Sequence, residues 1–215
     1  MTLLTARARF LGLPVCVPLA LALAAPPAQA APRHYTLDPA TSKLTIHVGK
    51  TGVLGFAGHE HEVVAGTFRG SATFDPDRMA RSTVDVTFDA SALRVSGKGE
   101  PAGDVPQVQA AMVGAACLDA HRFPTIHFLS NIVTAAGEVG PGGGDLTIHG
   151  NLTLHDVTRP LTLRVHVDVK GDTLEGTGSI RIRQTDFKIT PISKAGVVKV
   201  EDELALSWRI RGKAS

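Results

Sequence analysis

An antiparallel β-barrel of about eight strands, with one inserted helix, is the fold this sequence predicts. Three observations point there. Apolar and polar residues alternate with a period of two from Ser42 almost to the C-terminus, turn-forming clusters punctuate the alternation, and one stretch departs from it with apolar residues at helical spacing. Period-two alternation gives each strand one apolar and one wet face. Such strands suit antiparallel sheets, because parallel sheets bury both faces. The apolar faces must then be hidden between two sheets or inside a tube. A closed tube also removes edges that would pair with other chains.

The N-terminus stands apart from this pattern. Arg7 and Arg9 precede an apolar run from Phe10 to Ala25, followed by Pro26-Pro27-Ala28-Gln29-Ala30. A short basic region, an apolar stretch and an Ala-x-Ala site make a cleavable secretory signal, with cleavage expected after Ala30. The apolar run is interrupted by Pro14 and Pro18, and it is shorter than the ~20 residues of a membrane span. Cys16 follows Val15, which is bulkier than a lipid-attachment site expects. The expected organisation is therefore a signal peptide over 1–30 and one domain over 31–215, exported, with no stable membrane span after cleavage. The formal charge of +2 belongs to the two arginines of the signal, since residues 1–30 hold no acid. A neutral mature chain attracts no polyanion, which argues against nucleic acid as a partner.

The strands follow in order. Leu44, Ile46 and Val48 alternate with Lys43, Thr45 and His47; Phe68, Gly70, Ala72 and Phe74 alternate with Thr67, Arg69, Ser71 and Thr73. Val84, Val86 and Phe88 alternate with Thr83, Asp85 and Thr87. From Asp104 to Ala120 the spacing changes: Val105, Val108, Met112, Val113, Ala116 and Cys117 predict a helix, with Asp104 at its N-cap and Pro106 in its first turn. Cys117 is the only cysteine after the signal, so no internal disulfide is available, and it reads as a small apolar residue of that helix. Alternation returns with Leu146, Ile148, Leu152 and Leu154, then Leu161, Leu163, Val165 and Val167. Leu174, Ile180 and Ile182 precede the last run, Leu204, Leu206, Trp208 and Ile210. Gly137 to Asp145 reads as a flexible hairpin loop, and Asp75-Pro76-Asp77 and Lys170-Gly171-Asp172 read as turns.

A barrel near eight strands is either filled by side chains or holds one small ligand. Small inward residues (Gly70, Ala72, Gly150, Gly176 and Gly178) either relieve strain or leave room. Strand parity nominates the lining of such a cavity: Phe68, Phe74, Val86, Phe88, Ile126, Phe128, Leu152, Leu154, Leu163, Leu206 and Trp208. Their neighbours Thr87, His127 and Thr153 should then point away.

Nine histidines raise the question of metal or catalysis. His47, His127, His149, His155 and His166 share the polar parity of their strands and should face solvent. His59 and His61 lie two apart beside Glu60 and Glu62, so on an extended segment both imidazoles face one way. They are the candidate ligands of a metal or haem, a site that needs a third ligand from elsewhere. No Gly-x-Ser-x-Gly elbow, His-Glu-x-x-His helix or Walker loop is present. The expectation is a binding protein rather than an enzyme, with no cofactor implied.

Several short markers occur in order. They are Tyr35-x-Leu37-Asp38-x-x-x-Ser42; Gly66-Thr67-Phe68 with Phe74-Asp75-Pro76; Phe123-Pro124-Thr125-Ile126-His127-Phe128; Gly150 to Leu161, reading Gly-Asn-Leu-Thr-Leu-His-Asp-Val-Thr-Arg-Pro-Leu; and Asp186-Phe187. With them the chain resembles the YceI family of periplasmic, lipocalin-like polyisoprenoid-binding proteins. The resemblance implies an extended barrel around a long isoprenoid chain or quinone tail, a periplasmic location and no catalysis. The family often has Gly where Asp156 and Lys188 stand, so the loops there are expected to differ.

Overall fold

Alternation produces strands almost everywhere it occurs. The computed structural model describes residues 31–51, 60–98, 101, 103–194 and 198–215; the signal segment, with its expected cleavage site, lies outside them. The described strands are β1 (Arg33–Thr51), β2 (His61–Ala65), β3 (Phe68–Phe74), β4 (Thr83–Asp89), β5 (Leu93–Val95) and β6 (Thr125–Gly140). They continue with β7 (Gly143–Leu154), β8 (Val157–Lys170), β9 (Thr173–Arg183), β10 (Ser193–Lys194) and β11 (Val198–Ala214). β1, β3, β4, β6, β7, β8, β9 and β11 pair in circular order, and β11 returns to β1 to close the barrel. Every pairing is antiparallel.

The marker Tyr35-x-Leu37-Asp38-x-x-x-Ser42 is a bulge. The Asp38 carboxylate accepts from Ala40 N (2.9 Å) and Thr41 Oγ1 (3.0 Å), curling the chain locally. Ser42 Oγ then donates to Asp38 O (2.6 Å) and accepts from Arg211 N (2.9 Å), which rejoins the strand to β11. A bulge bends its strand and increases the local twist. Before it, β1 pairs with β3; after it, β1 pairs with β2. Beyond the bulge the wall is thus extended by β2 and β5.

The helix α1 spans Val105–Val113, shorter than the stretch to Ala120 expected from spacing. Gly114 is extended (ψ 174°), and the chain turns back so that Leu118 N and Ala120 N bond to Met112 O and Val113 O. Cys117 and Leu118 keep their apolar role by packing toward Phe187 and Leu154 rather than by continuing a helix. Burial pushes the Cys117 thiol pKa up. Val105, Val108 and Met112 cover Val63, Leu93 and Val95 at the extended end of the barrel. Gln109 completes this cover: its Oε1 accepts from Val95 N (2.9 Å) and its Nε2 donates to Leu93 O (2.9 Å). A side-chain amide thereby stands in for a neighbouring strand along the edge of β5.

The opposite end carries tight connections. The stretch 137–145 is not a loop: β6 runs to Gly140 and β7 starts at Gly143, leaving a two-residue turn. Gly143 and Gly144 serve close packing, because a Cβ on the first would collide with Val167 O and one on the second with Glu138 O. Between β3 and β4, Asp75 is buried, its carboxylate accepting from Arg78 N (2.9 Å) and its N–H donating to Ser82 Oγ (3.0 Å). The short 3₁₀ turn Met79–Arg81 follows, and Met79 packs onto the core cluster that contains Tyr35 and Phe74.

Candidate functional site: an apolar cavity inside the barrel

The inward faces do not meet completely. A cavity of about 190 Å³ lies between them, walled almost wholly by aliphatic and aromatic side chains from the eight barrel strands. Its polar neighbours, Thr73, Ser82 and Thr83, gather at the end of the tight turns.

Eight of the eleven residues expected on the wall are there: Phe74, Val86, Phe88 and Phe128 from β3, β4 and β6, and Leu152, Leu163, Leu206 and Trp208 from β7, β8 and β11. Three are inward but not on the cavity. Phe68 is packed among Leu37, Ala72 and Phe88, its ring 5.2 Å from that of Phe88. Ile126 lies between the cluster under α1 and the cluster around Phe187. Leu154 is buried against Phe187, Ile182 and Ile189. Parity placed all eleven inside; position along the barrel axis, which parity does not give, decides which ones reach the void. The nominated set left out aliphatic wall residues of the same parity, such as Leu146, Ile148, Val165, Val167 and Leu174.

The inward glycines divide between the two roles open to them. Gly178 and Gly150 are occupied by neighbours: ideal Cβ atoms there would stand 2.5 Å from Trp208 Cζ2 and 2.6 Å from Phe128 Cζ. Gly176 meets only Val165 Cγ1 at 3.4 Å and lines the cavity. The first two let large rings lie flat along the wall, and the third leaves room.

Outward neighbours bond to one another across the outer face. His127 Nε2 is 2.9 Å from Asp85 Oδ1, Thr153 Oγ1 is 2.8 Å from Thr158 Oγ1, and His149 Nδ1 is 3.0 Å from Thr162 Oγ1. His166 Nδ1 sits 2.7 Å from Asp145 Oδ1, and this hydrogen bond raises the imidazole pKa above its ordinary 6.5, helped by Asp168. His155 departs from the expectation. It belongs to the β7–β8 turn rather than a strand face, is half-buried, lies edge-on to Phe123 at 4.4 Å, and reaches Phe187 O (3.2 Å).

The candidate metal pair is described only in half. His59 lies outside the described residues. His61 begins β2 opposite Val48, on the parity of the buried Val63 and Ala65. Among the described residues no three His, Cys, Asp or Glu side chains are grouped to hold a metal ion. Among the same residues, no helix is long and apolar enough to cross a membrane.

Comparison with known proteins agrees with this architecture. The family model of the YceI-like domain matches residues 35–211. A UPF0312 protein of Enterobacter sp. (strain 638) is 32% identical over 153 residues, covering 66% of this chain and 70% of that protein. Another, from Vibrio parahaemolyticus, is 29% identical over 194 residues, covering 85% and 91%. Among solved structures, BcnA of Burkholderia cenocepacia superposes with a TM-score of 0.63 at 20% identity, covering 81% of this chain and 98% of that one. A polyisoprenoid binding domain from Saccharophagus degradans, described as implicated in plant cell wall breakdown, gives a TM-score of 0.60 at 12% identity, covering 84% and 98%. With a closed eight-stranded barrel, one short helix and a family match over nearly the whole described domain, this chain belongs to the YceI-like family.

Proposed function

We propose that this protein is an exported periplasmic carrier that holds an apolar isoprenoid or lipid-quinone chain inside its barrel and catalyses no reaction. The observation that carries the reading is the cavity: about 190 Å³ of space, enclosed by hydrocarbon side chains. Burial of an apolar chain there is worth ~0.8 kcal/mol per methylene, and the polar side chains of the wall, Thr73, Ser82 and Thr83, are confined to the end of the tight turns. The polyisoprenoid-binding neighbour supports the ligand class, and the basic, apolar, Ala-x-Ala N-terminus supports export. Volume sets a limit. An engineered cavity of ~150 Å³ takes benzene, so this one accommodates a ring-sized group or a short stretch of chain. A longer isoprenoid widens the barrel or emerges from it.

Native mass spectrometry of protein gently purified from the periplasm tests the reading. The expected spectrum shows a chain lacking residues 1–30 and carrying an added apolar mass, or acquiring one from a lipid extract. A chain that stays empty with every isoprenoid and quinone offered contradicts it.

A further inference from the structure

We infer that the ligand enters and leaves through a break in the barrel wall between β8 and β9; this rests on the reading above, that the barrel holds an apolar chain. β8 is bonded to β7 along almost its whole length, from Val157 opposite Leu154 to Asp168 opposite Gly143. Its ladder to β9 is much shorter, running only from Lys170 to Val165, opposite Thr173 to Gly178. From Arg164 back to Val157, β8 has no partner in β9, while β9 stays paired to β11 as far as Arg183 opposite Glu203. The last rung falls at Gly178, where an ideal Cβ would stand 2.6 Å from Arg164 O and 2.5 Å from the Trp208 ring. Beyond this rung the ladder between the two strands does not continue.

The side chains that face each other across the break are Leu161 and Leu163 on β8 and Ile180 and Ile182 on β9, and all four are on the cavity wall. The break therefore borders the cavity directly, and its inward rim is hydrocarbon, with the unpaired peptide groups of the two strands set along it. The seam also gives the part of a long chain that exceeds 190 Å³ a way out of the barrel.

What closes the break is the 3₁₀ turn Gln184–Phe187, directly after β9. Phe187 is buried among Ile182, Ile189, Leu161 and Val157. The turn is tied to β11 by three hydrogen bonds: Gln184 Nε2 to Glu201 O (2.7 Å), and Thr185 N and Oγ1 to the Asp202 carboxylate (2.9 and 2.7 Å). Toward the β7–β8 hairpin, beside the packing of Phe187 on Val157 and Leu161, its hydrogen bonds among the described residues are Arg159 Nε donating to Asp186 O (2.8 Å) and the longer His155 contact to Phe187 O (3.2 Å). Arg159 pairs opposite Leu152 and stands two residues from Leu161, so the latch sits beside two wall residues. The turn moves with β9 and β11, and the hairpin edge is the side that releases.

Stopped-flow fluorescence with N-phenyl-1-naphthylamine, on the full mature chain, reads the uptake and release of an apolar probe. Loss of one hydrogen bond that must break for opening changes a rate about three- to tenfold. Arg159→Ala should therefore speed both uptake and release by that factor. Met79→Ala, which loosens the far closed end of the barrel instead, should change either rate by less than about twofold, on the same reasoning. Melting curves confirm that both variants are folded. Faster exchange in Met79→Ala, or unchanged rates in Arg159→Ala, overturns the portal while leaving the carrier reading intact. Failure of all three proteins, wild type included, to take up the probe removes the carrier reading and the portal with it.

Discussion

Tyr35 is 1% exposed, yet its hydroxyl has no hydrogen-bond partner among the described residues. Burial also raises its phenol pKa, and the ring is packed with Phe74, Val133, Leu146 and Val167 behind the cavity wall. An unsatisfied buried hydroxyl costs about 1–3 kcal/mol of desolvation, so Tyr35→Phe should leave stability unchanged or raise it by about 1 kcal/mol. Chemical denaturation reads the result; a clear loss of stability would mean that the hydroxyl has a partner in solution. At the outer surface, the bond from His166 to Asp145 favours the charged imidazole in the folded state. A raised folded pKa contributes stability that is present in full at pH values below the ordinary 6.5 and fades as pH rises through the folded value. Proton NMR titration should place the His166 midpoint above 6.5, and Asp145→Asn should bring it back down. An unmoved midpoint in that variant would remove Asp145 as the cause.

Elements were legible in the sequence wherever their cause is local. Alternation at Val84, Val86 and Phe88, or at Leu161 to Val167, is enough to locate a strand and its buried face. What escaped was set by contacts distant in sequence. The C-terminus of α1 depends on Cys117 and Leu118 meeting Phe187, so helical spacing overran it. Five glycines between 137 and 144 suggested a loop, yet Gly143 and Gly144 are needed where β7 runs close to β8 and β6. Asp156 and Lys188 both take the left-handed backbone that glycine favours, at φ 58° and 59°. That conformation costs a non-glycine residue about 1–2 kcal/mol. The break between β8 and β9 left no mark, because period-two alternation looks the same whether or not a strand has a partner.

At the scale of the molecule, eight strands form a tube whose ends are treated differently. Tight turns and Met79 close one end; α1, the Phe187 turn and the seam beside it occupy the other. The fold class and the inward set were readable from alternation, but the volume of the void was not, since it is the small remainder after large side chains are packed. Phe128 and His127 test whether the inward face of this wall holds the ligand. Phe128 is 6% exposed and on the cavity, whereas His127, one residue earlier, bonds Asp85 outside. An unpaired charge in place of a core aromatic costs about 3–5 kcal/mol, a large part of a typical stability of about 5–15 kcal/mol. Because Asp at position 127 would meet the Asp85 carboxylate, Gln is the appropriate outward control. The measurement is ligand uptake by native mass spectrometry, beside the melting temperature, for Phe128→Asp and His127→Gln. Phe128→Asp is expected to lose the bound apolar mass or the fold, and His127→Gln to keep both. Normal binding by Phe128→Asp together with loss in His127→Gln would contradict it.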